Sequence, residues 1–245
     1  MSSSHAVSVS VIRDDKITVK LSIKIGVSVL KFNRRVLIGM IALLVVVMPG
    51  YATERLVANF SDESLHEWQE KSFVGNTRYQ FVRDGERMAL EAVASGTASG
   101  LFREIEVDLN KTPYLNWSWW IDDVLQGNDE KLKAGDDYPV RIYVVVSGGL
   151  FFWRTRAVNY VWSNSQPIDS HWPNPYTSRA AMVAVRSGAQ QRGQWLNEKR
   201  NIREDFSRLF GVDIEQIDAV AIMSDSDNSG GQVRARYGDI YFSAQ

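Results

Sequence analysis

Asp225-Ser226-Asp227-Asn228-Ser229-Gly230 places oxygen-bearing side chains at alternate positions ahead of a glycine, as the opening of a calcium loop does. The bidentate acid expected at the twelfth position is replaced by Arg236, which excludes an EF-hand. Two readings remain: an Asp/Asn/Ser/Gly turn between strands, which needs these residues for backbone reasons alone, or a Ca2+ site in which Asp225 and Asp227 are completed from elsewhere. A second run, Lys133-Ala134-Gly135-Asp136-Asp137-Tyr138, leads into Arg141 and Tyr143. If a strand begins by Asp137, alternation puts Asp137, Arg141 and Tyr143 on one face with the charges close enough to pair. Such a platform can hold sugar hydroxyls, or it can be an ion pair that fixes register.

The third run is aromatic. Trp153, Trp162 and Trp172 lie in a segment crowded with Asn, Ser and Pro, and His171-Trp172-Pro173-Asn174 adds an amide. Sugar sites set aromatic faces against a pyranose and carboxylates or amides against its hydroxyls, so Trp162, Trp172 and Asn174 join Asp136, Asp137, Arg141 and Tyr143 as candidate ligand-binding residues. Core packing is the alternative for both tryptophans. Lys199-Arg200-Asn201 is a weaker anion candidate at a helix start. Enzyme signatures are missing: the chain has no Gly-x-Ser-x-Gly, no His-Glu-x-x-His and no phosphate-binding glycine loop. Asp122, Asp123, Asp136, Asp137, Asp225 and Asp227 nevertheless supply enough acids for a glycosidase-type pair.

Strands must position these groups. Thr77 to Arg83 and Arg87 to Val93 flank Asp84-Gly85, a hairpin dipeptide. Further strands are expected at Leu101 to Val107, Tyr114 to Ile121, Tyr138 to Ser147, Ala180 to Arg186, Gln194 to Lys199, Ile217 to Met223 and Val233 to Phe242. Leu115, Trp117, Trp119 and Ile121 share one face. Tyr138 to Ser147 and Ile217 to Met223 are apolar enough to be covered on both sides, and a bulge is expected at Gly238-Asp239. One helix, near residues 202–210, has Asn201 as its cap, Glu204 in the first turn and Gly211 beyond its end. The fold class is all-β, a jelly-roll-like, galactose-binding-like β-sandwich with this single helix.

Residues 31–52 carry Lys31, Arg34 and Arg35, then the uncharged run Val36 to Met48, then Gly50-Tyr51-Ala52. That is the pattern of a signal peptide cleaved after Ala52. At about 1.5 Å per residue the apolar run falls short of a hydrocarbon core of about 30 Å, so no stable membrane span is expected after processing. Translation is expected to start near Val29 or Leu30. Residues 1–52 are therefore upstream segment and leader, and residues 53–245 form one domain. Seven of the 28 basic and two of the 29 acidic residues precede residue 53, leaving 21 against 27, a net −6. So acidic a module is a poor partner for nucleic acid. With no cysteine, disulfides and thiolate metal sites are excluded. No feature fixes an oligomeric state.

Several runs together resemble a bacterial family, domain of unknown function 3047. They are Asn59-Phe60-Ser61 with Trp68, Ala98-Ser99-Gly100-Leu101, Pro113-Tyr114-Leu115-Asn116-Trp117-Ser118-Trp119 and Lys133 to Tyr138 with Arg141 and Tyr143. They continue through Asn159-Tyr160-Val161-Trp162, Trp172-Pro173-Asn174, Lys199-Arg200-Asn201 with Asp205, and Phe210-Gly211. They end with Met223 to Asn228 and Tyr237-Gly238-Asp239-Ile240. The resemblance implies an exported protein of Gram-negative bacteria. The layout is also similar to jelly-roll modules that bind carbohydrate, a likeness of fold only. The function expected is a non-catalytic periplasmic binding domain for carbohydrate or another cell-envelope component. The alternatives are a carbohydrate-active hydrolase using an aspartate pair and a structural envelope protein that binds a protein partner by a sheet edge.

Overall fold

The computed structural model describes residues 54–150 and 154–245. The expected leader, the cleavage expected after Ala52, the expected translation start and Trp153 lie outside the described residues. Among the described residues, thirteen strands run in chain order. They are β1 (Glu54–Ala58), β2 (Gln69–Val74), β3 (Arg78–Asp84), β4 (Arg87–Ser95), β5 (Ala98–Asp108), β6 (Tyr114–Ile121), β7 (Arg141–Val146), β8 (Arg156–Ser163), β9 (His171–Asn174), β10 (Thr177–Ser187), β11 (Leu196–Asn201), β12 (Gln216–Asp225) and β13 (Gln232–Ser243). One helix, α1 (Ile202–Phe210), separates β11 from β12.

The strands form two sheets, the two layers of a sandwich. The first has the order β11-β6-β13-β4-β3, with β1 also paired to β13. The second has the order β2-β5-β12-β7-β8-β10-β9, and only its β8–β10 pair is parallel. Period-2 alternation decides what each face buries. Across the second sheet, Leu101, Ile222, Ile142, Tyr160 and Val183 stand in register. All five are buried in the core, where they meet Leu115, Trp117, Trp119, Ile121, Tyr237, Ile240 and Phe242 of the first sheet. Register slips between Tyr237 and Ile240, placing the expected bulge at Gly238-Asp239. It keeps both Tyr237 and Ile240 on the buried face.

The helix begins where the Asn201 side chain accepts the Glu204 amide and ends on Gly211 in the left-handed region, with φ of 65°. Its Ile202 and Phe206 join the core. Asp205 is turned onto the sandwich, where it accepts hydrogen bonds from the Tyr160 hydroxyl (2.8 Å), Arg200 (2.8 and 3.0 Å) and Arg208 (2.8 Å). Burial opposes ionisation, but the Arg200 and Arg208 guanidiniums outweigh it and hold the carboxyl below its ordinary range. A lowered folded pKa contributes stability that is complete above the ordinary value of about 4 and is lost as pH falls through the folded value. Asp205→Asn is expected to lower the free energy of unfolding at pH 7 by about 1.5–3 kcal/mol. Urea unfolding at pH 7 and pH 3 checks this: the variant should lose less stability on acidification than the parent, and equal acid sensitivity would contradict the assignment.

Two sequence expectations are corrected. Strand β7 begins at Arg141, not at Asp137: Tyr138 to Val140 lie outside it, because Pro139 lacks the amide that a central ladder needs. The second sheet is also not covered evenly on its outer face. Tyr138, Val161, Trp172, Met182 and Ala184 cluster there over one half, while Tyr143, Ala157 and Ala219 remain half-buried on β7, β8 and β12.

Candidate functional site

The outer face of the second sheet carries a groove of about 500 Å³. Its lining is drawn from strands across the whole sheet. Phe73 and Val74 come from the β2 edge, Ala98 from β5, Met223 and Asp225 from β12, Arg141 and Tyr143 from β7, and Ala157 and Asn159 from β8. Ala180 of β10 and the β9–β10 turn residues Asn174, Tyr176 and Thr177 form the other side, and the loops add Asp136, Asp227 and Asn228. The floor is polar and buried, with Asp136, Arg141, Asn159 and Asp225 each less than 5 % exposed. The walls are aromatic and open, Phe73 being 60 % and Tyr176 56 % exposed.

Arg141 organises the floor. Its guanidinium forms a bidentate pair with Asp225, donating from Nε at 3.0 Å and from Nη2, and reaches Asp136 Oδ2 at 3.5 Å and the Asp136 carbonyl at 3.1 Å. The planar fork matches the carboxylate, and its central carbon lies over the Tyr138 and Tyr143 rings, 4.8 and 5.9 Å from the centroids. Burial raises the Asp136 carboxyl above its ordinary range, an effect that Arg141 only partly offsets. Burial and then the Asp137 charge raise Asp227.

Asp137 does not share a strand face with Arg141 and does not line the groove. Its carboxylate accepts the Asn228 amide at 3.2 Å, the Asn228 side chain at 3.1 Å and the Ser229 amide at 2.5 Å, so it braces the Asp225–Gly230 turn from below. Arg141 is paired instead with Asp225, a contact 84 residues apart in sequence. One oxygen from each of Asp137, Asp225 and Asp227 lies within 4.8 Å of the others, but Asp225 is held by Arg141 and Asp137 by turn amides. Asp122 and Asp123 stand apart from this group, beside Arg234 and Arg192.

The two tryptophans expected to stack on a ligand are internal. Trp162 is fully buried between the sheets, its ring 6.3 Å from that of Trp119 and its Nε1 donating to the Gly188 carbonyl at 3.0 Å. Trp172 is buried beneath the loop that carries Asp136, with its Nε1 donating to the Glu130 carbonyl at 3.3 Å. Tyr176 and Phe73 present rings in their place. The Tyr176 hydroxyl donates to Asn228 Oδ1 at 3.1 Å, and the Asn174 side chain accepts the Tyr176 amide at 3.0 Å, an Asx turn that holds the ring at the groove wall. Asn174 also donates to Asp136 Oδ2 at 3.4 Å. A tyrosine behind Asn-Pro in a polar turn was the available sequence signal. Phe73 sits in an edge strand whose every residue is exposed, and no periodicity marks it.

A second cavity, of about 410 Å³, lies on the first sheet between Arg87, Asn116, Ser118, Lys199 and Asp239. Several of its polar groups satisfy one another: Asp239 accepts the Ser61 amide and hydroxyl at 2.8 and 2.7 Å, and Arg87 donates to the Ser118 hydroxyl at 3.3 Å. It has no widely exposed aromatic ring of the kind that Phe73 and Tyr176 supply.

Residues 66–241 match the model of a family described as Protein of unknown function (DUF3047). The chain belongs to the DUF3047 family. The groove of this DUF3047 protein lies wholly within the matched residues, from Phe73 to Asn228. A search of curated proteins found no match. Among solved structures, the family 11 carbohydrate-binding module from Clostridium thermocellum, in complex with a mixed-linked tetrasaccharide, is 11 % identical. That match covers 77 % of this chain and 94 % of that one, with a TM-score of 0.43. The family 30 module of a cellulosomal cellulase of the same organism is 10 % identical over 79 % and 98 %, with a TM-score of 0.45. The xyloglucanase domain of NopAA, a type three effector from Sinorhizobium fredii, is 12 % identical over 74 % and 95 %, with a TM-score of 0.41.

Proposed function

We propose that this DUF3047 domain is an exported, non-catalytic binding module for carbohydrate, and that the groove on the outer face of the second sheet is its site. The observation that carries the reading is a groove crossing the strands with exposed rings, Phe73 and Tyr176, above a floor of buried carboxylate, amide and guanidinium groups. A pyranose has an apolar face for the rings and hydroxyls for the floor. The floor is fixed before any ligand arrives, because Arg141 is clamped by Asp225 and Asp136, so little ordering entropy opposes binding. The engagement of Asp137 and Asp225 in turn and ion pair leaves those two poorly placed as acid and nucleophile. Export rests on the leader-like residues 31–52. Among the described residues no helix is long and apolar enough to cross a membrane.

Tyr176→Ala is the direct test. The ring is exposed, so the unfolding free energy should stay within about 0.5 kcal/mol of the parent, while affinity for the oligosaccharide that binds falls at least about tenfold, or about 1.4 kcal/mol. Calorimetric titration across a panel of envelope and plant oligosaccharides, beside thermal melts, measures both quantities. Unchanged affinity in a stable variant removes the groove from the reading, and no binding by the parent to any glycan removes the reading itself.

A further inference from the structure

The groove's polar inventory is one-sided. Asp136, Asp225 and Asp227 line it against a single cation, Arg141, and Asp137 stands directly behind Asp227. Arg141 is committed to Asp225 through two guanidinium nitrogens, leaving Asp136 a weaker 3.5 Å contact and Asp227 no cationic partner in its hydrogen-bond set. Asp227 accepts from the Asn228 side chain at 3.2 Å and stands against the Asp137 carboxyl, which, after burial, raises it. Two further acceptors on the floor have no donor at all: Asp136 Oδ1 and Asn159 Oδ1 are buried and unpartnered, in residues 4 % and 1 % exposed that both line the groove. Buried acceptors without donors are costly, and two in one groove floor, beside uncompensated carboxylates, mark a place that a donor-rich, positively charged group would complete. Lys71 and Lys133 lie over the Phe73 and Tyr176 rings, 5.3 and 5.2 Å from the centroids, but line no part of the groove.

We infer that the groove selects basic glycans, sugars bearing a free protonated amine, over their N-acetylated, neutral or acidic counterparts. The inference rests on the carbohydrate-binding reading above and narrows it. An ammonium brings three donors and no acceptor, so it can serve Asp227 or the unpartnered Asp136 Oδ1 while Tyr176 takes the sugar ring. A uronate would set a fourth carboxylate against a floor that already holds three.

The test uses β-1,4-linked glucosamine hexamer, the N-acetylglucosamine hexamer, a neutral cellohexaose and an oligogalacturonate. Each is titrated calorimetrically into the purified protein at one ionic strength with chelator present. The glucosamine hexamer should bind at least tenfold more tightly than the N-acetylated and neutral hexamers, and the oligogalacturonate should not bind. Asp227→Asn removes a carboxylate that is repelled by Asp137, so its melting temperature should not fall, yet the preference for the amine should shrink at least fivefold. Asp213→Asn removes the same charge beside Arg203 and Asn110, at the opposite end of β5 from the groove's Ala98, and should leave the preference intact. Equal affinities, a preference for the uronate, an equal effect of both variants, or binding that requires added calcium would each overturn the inference. If cellohexaose binds, and Tyr176→Ala weakens it, while the amine gains nothing, only the selectivity falls. If no oligosaccharide binds, the carbohydrate reading falls as well.

Discussion

Arg141→Met is expected to lower the free energy of unfolding by about 3–5 kcal/mol, the cost of stranding buried charge by deleting its partner. Arg141 is 3 % exposed, and its guanidinium holds Asp225, itself 1 % exposed, on two nitrogens, with Asp136 on a third. Methionine fills much of the same volume beside the Tyr138 and Tyr143 rings, so the loss reports charge and hydrogen bonding more than a cavity. Asp225 would keep only the Tyr138 amide, at 3.2 Å, as a donor. Urea unfolding measures the change, and a loss under about 1 kcal/mol would mean that the carboxylates find water or protons instead. Adding Asp225→Leu should return part of the loss, because a matched apolar pair is far less costly than a lone buried charge.

Trp162→Ala is expected to cost about 3–5 kcal/mol, the range for deleting a large buried aromatic. The indole fills the space between the sheets beside Trp119, and its Nε1 satisfies the Gly188 carbonyl. The substitution therefore opens a cavity and orphans an acceptor together. This sets Trp162 apart from Tyr176 in kind: the first should act on stability, the second on affinity. A melting temperature within a degree or two of the parent for Trp162→Ala would contradict its placement in the core.

The sandwich is legible in the sequence where alternation is clean. Leu115, Trp117, Trp119 and Ile121 announce a strand face, Asp84-Gly85 a hairpin, and Asn201 with Gly211 the two ends of the helix, since each signal is local and mechanical. Strand β8 is less visible. Val158, Tyr160 and Trp162 alternate toward the core as clearly as any strand, but the Asn and Ser that follow Trp162 mask the alternation. Asn159, on the opposite face, is part of the groove floor, and no local signal marks it. The turn of Asp225 to Gly230 and the run of Asp136 to Tyr143 do converge in space, through Asp225 and Arg141. The partner of Arg141 could not be read, because alternation from Asp137 assumed a strand that Pro139 prevents. Trp162 and Trp172 misled for a related reason: tryptophan suits a sugar and a core equally well, and only the register of β8 and β9 decides which face each ring takes.

The most direct measurement is a backbone amide NMR map of the protein titrated with the tightest-binding oligosaccharide from the panel. Shifts concentrated at Phe73, Tyr143, Asn159, Tyr176 and Asp227 to Ser229, with Asn116, Lys199 and Asp239 on the opposite sheet unmoved, are the expected result. Shifts confined to the first sheet's cavity, with the groove silent, would contradict the placement of the site.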